Sequence, residues 1–147
     1  MEMIDEMTAK RKTNQQKKIY LSQYLAAQRR EKELNEEVMT VLLDHALPKA
    51  ISYGDKSGGG GGRFDLSDLA ARVDDLQRDL LREAVRCVDL RRDITRKIND
   101  MSSENEKLLL HLRYIRGLTF EEVADKMGYS TRHVIRMHGS ALEHFQM

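Results

Sequence analysis

The chain has 147 residues, a third of them charged, with a formal net charge of +1 and 5% aromatic residues. That length allows one or two small domains, and the composition favours long solvated helices over a sheet-based core. No window shows the alternation of strands, no apolar run reaches membrane-spanning length, and residues 1–18 lack the apolar run of a secretory signal.

An all-α, cytoplasmic chain is therefore expected, with no membrane association. The single Cys87 falls on the apolar stripe of a predicted helix, where it would pack as a small hydrophobe. Near the N-terminus no acid stands between Glu6 and Glu31, while Lys10, Arg11, Lys12, Lys17, Lys18, Arg29 and Arg30 are basic. Such a run is either a phosphate-contacting face or a frayed, solvated terminus. A first helix is predicted from about Lys17 to Leu47: Tyr20, Tyr24, Ala27, Leu34, Val38 and Val41 keep a three- and four-residue spacing interrupted at Glu31, with Leu21, Leu25 and Leu42 beside them. Pro48 stops it, because proline has no amide donor and disfavours helical geometry at the residue before it.

Residues 52–63, SYGDKSGGGGGR, read as a linker. Their five consecutive glycines lack the preceding strand and the lysine-serine/threonine pair of a phosphate loop. A second helix is predicted from an N-cap at Asp65, stapled by Phe64 and Leu69, to about Asn99. Leu66, Leu69, Val73, Leu76, Leu80, Cys87, Leu90 and Ile94 form its heptad-like seam, flanked by Leu81, Val85, Val88 and Ile98. At about 1.5 Å per residue this helix spans roughly 50 Å, too long for a small C-terminal domain to cover. The seam must meet the first helix, another subunit, or both. An antiparallel hairpin is the simplest intramolecular answer, and a homo-oligomer through these helices is expected.

Ser103 and Glu106 have capping-box spacing and open the helix LLLHLRYIR, which Gly117 ends. Leu108, Leu109, Leu112 and Ile115 are its candidate core. Together with Leu110 and Tyr114 they nearly encircle it. Either Leu110 and Tyr114 pack on the end of the second helix, or they form an exposed patch that docks a partner.

The most informative stretch is Leu118 to Phe145. Thr119 and Glu122 form a capping box, and Leu118 and Val123 are placed as its staple. Val123, Ala124 and Met127 make one stripe; Gly128 supplies the left-handed turn. Ser130 caps the next helix, with Tyr129 and Val134 as a second staple, and Val134, Met137, Ala141, Leu142 and Phe145 carry its stripe. This is helix-turn-helix spacing. With Val134 and Met137 inward, Thr131, Arg132, His133, Ile135 and Arg136 face outward toward a major groove.

From about Glu104 to Phe145 the chain resembles the −35-reading domain of bacterial sigma factors. As a whole it is similar to small phage and prophage proteins of Gram-positive bacteria with a sigma-like helix-turn-helix at the C-terminus. The resemblance implies a phage regulator that binds double-stranded DNA, with host RNA polymerase as a second partner or as a simple operator binder. Thr131 and Ile135 stand where primary sigma factors usually carry basic residues, so the −35 sequence itself does not transfer. The aromatic-rich helix that opens the −10 element has no counterpart in the chain.

The expected fold is all-α: a helical hairpin or coiled-coil stalk (residues 1–51 and 64–101, joined by the linker) followed by a three-helix domain over residues 102–147. The expected DNA-contacting residues are Thr119, Ser130, Thr131, Arg132, His133, Ile135 and Arg136. No cofactor, metal or catalysis is expected. His111, His133, His138 and His144 cluster in this domain without zinc-hydrolase spacing, and packing or phosphate contact suits them better. A DNA-packaging protein of the small-terminase kind and a coiled-coil adaptor are the alternatives.

Overall fold

The computed structural model describes residues 1–46 and 66–147. The predicted stop at Pro48, the glycine linker and the cap at Asp65 lie outside the described residues. The elements are α1 (Glu2–Ala46), α2 (Leu66–Asn99), α3 (Glu104–Leu110), a π-helical turn (His111–Ile115), α4 (Phe120–Met127) and α5 (Thr131–His144). The fold is all-α, with the helix-turn-helix at its C-terminal end.

Helix α1 begins at Glu2, well before the predicted Lys17. Residues 2–16 lack an apolar period but contain strong helix formers and neither glycine nor proline, and Glu2 and Asp5 suit the positive end of the helix dipole. The basic run is therefore helical, not frayed.

Two compact units divide the chain: one joins residues 1–28 to 86–147, the other comprises residues 29–85. Residues 1–28 and 86–101 thus share a unit with the C-terminal helices. Within the first unit one core takes Leu21, Tyr24 and Ala27 from α1, Cys87, Ile94 and Ile98 from α2, and Leu109 to Phe145 from the C-terminal helices. In the second unit Val38 and Val41 are buried, whereas Leu42, placed beside the seam by its spacing, is exposed. Glu83 is also buried there; one carboxylate oxygen lies 3.9 Å from Arg30.

Leu110 and Tyr114 belong to the first core, with Leu110 fully buried and Tyr114 nearly so. The partner patch considered for them is therefore closed: both lie in the core cluster that also takes residues of α1 and α2. Leu25 of α1, for example, stands 3.5 Å from where a side chain on Gly117 would begin. The π turn contributes as well: the Arg116 amide donates to the His111 carbonyl five residues back at 3.1 Å, which widens the helix and lets Leu112, Tyr114 and Ile115 all point inward. Leu108, expected in the core, is instead 45% exposed.

Candidate nucleic-acid interface

Each end of the helix pair is fixed by a local device. Thr119 is the N-cap of α4; its hydroxyl accepts from the Glu122 amide at 3.2 Å while the Glu122 carboxylate accepts from the Thr119 amide at 2.8 Å. Gly128 closes α4 at φ 72°. Left-handed backbone costs any residue with a Cβ, so glycine suits this turn. Ser130 then caps α5, its hydroxyl accepting from the His133 amide at 3.2 Å. Tyr129 is only partly covered and does not close a buried staple; its ring lies 4.8 Å from that of His133.

Val134, Ala141, Leu142 and Phe145 are buried, which orients α5 and leaves Arg132, Ile135 and Arg136 exposed, Ile135 by 50%. Thr131 and His133 are half-buried at the start of α5, and Thr119 and Ser130 are exposed at the two helix starts. The seven expected residues thus occupy two sets: six on and beside the first turns of α5, and Thr119 at the start of α4.

The far end of α5 is held by groups that spacing did not reveal. Glu106, expected to complete a capping box with Ser103, does not reach back to it. Ser103 caps α3 through its own hydroxyl, accepting from the Glu106 amide at 3.3 Å. The buried Glu106 carboxylate instead accepts from Ser140 Oγ at 2.9 Å and from His144 Nδ1 at 2.9 Å, tying α3 to α5. Lys17 of α1 is also buried, and its ammonium donates to the carbonyls of Leu142 at 2.8 Å and Glu143 at 3.3 Å. Those carbonyls lie in the last turn of α5, where a cation is favoured. Burial lowers the Lys17 pKa below the ordinary lysine value, and Glu143 opposes that shift. The clue in the sequence is that Lys17 stands four residues before Leu21 and seven before Tyr24, on the same helix face. Replacing Lys17 with Met keeps the apolar stem and removes both bonds. The expected loss is about 1–3 kcal/mol, read as a lower urea midpoint.

His138 sits inside the unit. Its Nε2 and the Tyr114 hydroxyl share a hydrogen bond of 2.8 Å, and the Phe120 ring meets it edge-on at 5.0 Å. Burial, reinforced by the positive charges of Lys18 and Arg113, pushes its pKa down to about 4, so it packs as a neutral imidazole. Arg113 stacks over Phe120 at 4.5 Å and donates to the Leu118 carbonyl at 2.8 Å, anchoring the segment that leads into Thr119.

Residues 103–146 match the family model for sigma-70, region 4. The region 4 match starts at the cap of α3 and runs one residue beyond Phe145, so it covers α3, the π turn and the helix pair. It supports a DNA-binding helix-turn-helix of that type at the C-terminus. Helices α1 and α2 lie outside the region 4 match, although residues 1–28 and 86–101 share its compact unit. Neither the curated proteins nor the solved structures contain a match. Among the described residues no helix is long and apolar enough to cross a membrane.

Proposed function

We propose that this protein is a sequence-specific transcription regulator of the sigma region 4 type, encoded by a phage, that reads double-stranded DNA with α5. The observation that carries the reading is the exposed set Arg132, Ile135 and Arg136 on a helix whose opposite side is buried. Arginine forks pair bidentately with guanine O6 and N7, and an exposed isoleucine suits a thymine methyl. Ser130, Thr131 and His133 lie at the start of α5 within reach of bases or backbone. The first-turn amides behind Thr119 suit a phosphate. The phage origin rests on the resemblance of the whole chain. Docking on host polymerase through Leu110 and Tyr114 is not part of the proposal, because both are buried.

Arg132→Ala and Arg136→Ala are each expected to weaken specific binding by roughly 1–3 kcal/mol. Helicity and melting should stay at wild-type values, since both side chains are exposed. Fluorescence anisotropy on a specific duplex, paired with thermal melts, measures the two effects separately. Equal binding by both variants and wild type would remove these residues from the interface.

Self-association through the N-terminal helices belongs to the same proposal. Leu66, Leu81 and Val85 of α2 are more than half exposed, an apolar surface that a second copy would cover. The full chain is expected to sediment as a dimer or larger, and a monomer at tens of micromolar would exclude it.

A further inference from the structure

We propose that Arg91 and Arg92 of α2, together with Arg116 ahead of α4, form a second surface for nucleic-acid backbone phosphates, outside the helix-turn-helix. The proposal rests on the DNA-binding reading and extends it to a helix that the region 4 match does not reach.

An open groove of about 580 Å³ runs along the C-terminal third of α2. Its polar lining is Arg91, Arg92, Thr95, Arg96 and Asn99, with Asp100 as the one acid at its end. Arg96 is already engaged by Asp93 at 2.9 Å. Asp93 is further occupied by the Tyr20 hydroxyl and by Lys97, the latter at 3.1 Å. Arg91 and Arg92 are exposed and pair with no acid among the described residues; the same holds for Arg116. Arg91 and Arg116 come from different elements yet act on one group. Burial first, then these two charges, hold the half-buried His111 imidazole below its ordinary pKa.

Guanidinium groups without an ion-pair partner leave a positive field, which attracts anions. Guanidinium forks match phosphate oxygens in particular. Arg116 lies three residues before Thr119, the N-cap of α4. All three arginines and the reading helix belong to one compact unit. An acidic protein segment would meet the same charges, and the test below separates it from a duplex.

The test uses the full chain and a duplex bearing its selected site, titrated from about 50 to 200 mM salt. Arg91→Gln/Arg92→Gln is expected to bind more weakly and to lower the slope of log K against log salt by roughly 2, since each lost phosphate contact removes about 0.9. Arg116→Gln, on a different element, should lower it by roughly 1, and Arg91→Lys/Arg92→Lys should restore most of it. Base preference should not change. An unchanged slope in both glutamine variants, while Arg132→Ala still weakens binding, would overturn this surface and leave the DNA reading standing. Wild-type slope combined with lost retention of polyglutamate would assign the face to an acidic protein and overturn it as well. Failure of the wild-type chain to bind any duplex would defeat both proposals.

Discussion

Val134→Asp should unfold the unit that carries the helix-turn-helix. Val134 is fully buried in α5, in the same core as Val123, Ala124, Ala141 and Phe145. A carboxylate there would lose its water inside an apolar core. An uncompensated buried charge costs on the order of 3–5 kcal/mol, against roughly 5–15 kcal/mol for the whole stability of a domain. Far-ultraviolet circular dichroism should show reduced helicity at room temperature, or a melt displaced strongly downward. Its neighbours on the opposite face set the contrast. Arg132→Ala and Arg136→Ala should leave the melt in place, because exposed side chains away from caps and networks rarely change stability by more than about 0.5 kcal/mol. A stable Val134→Asp beside an unfolded Arg136→Ala would mean that the faces of α5 are inverted.

Acid should weaken the same unit through His138. Its folded pKa of about 4 lies below the unfolded value of 6.5. As pH falls through 6.5, the unfolded chain takes up a proton that the folded chain refuses, so stability drops. The loss grows down to about pH 4 and then levels; above 6.5 this residue has no effect. A displacement of this size corresponds to about 3 kcal/mol at the acid end. Lys18 and Arg113 add to burial in disfavouring the charged ring, while the Tyr114 hydroxyl and the Phe120 ring face it without offering a carboxylate. His111 is shifted in the same direction and contributes with the same sign. Urea midpoints between about pH 7.5 and 4.5 should therefore fall more steeply for wild type than for His138→Gln, whose remaining dependence belongs to the other groups. Parallel curves for the two proteins would show that His138 is not held neutral by the fold.

Much of the helix-turn-helix is legible in the sequence because its determinants are local. The Thr119–Glu122 box, the Gly128 turn and the Ser130 cap each act within a few residues, and all three appear where their spacing places them. The stripe from Val134 to Phe145 is equally local. What the sequence does not disclose depends on partners far along the chain. Lys17 meets the Leu142 carbonyl 125 residues away, and its place on the face of Leu21 and Tyr24 does not name that partner. Leu110 and Tyr114 lie in a core that also takes residues of α1 and α2, which no local spacing announces. Glu106 had two possible uses, a reciprocal bond to its own cap or bonds to Ser140 and His144, and tertiary packing selects the second. The start of α1 is silent for a different reason: residues 2–16 fold as helix from propensity without an apolar period to announce it.

The reading of α5 as a base-recognising helix is tested most directly by selecting sites from a randomised duplex library with the full chain. One compact enriched motif is expected, with guanines whose preference disappears when the selection is repeated with Arg132→Ala or Arg136→Ala. A library that returns no motif, or one that both variants select unchanged, would contradict it.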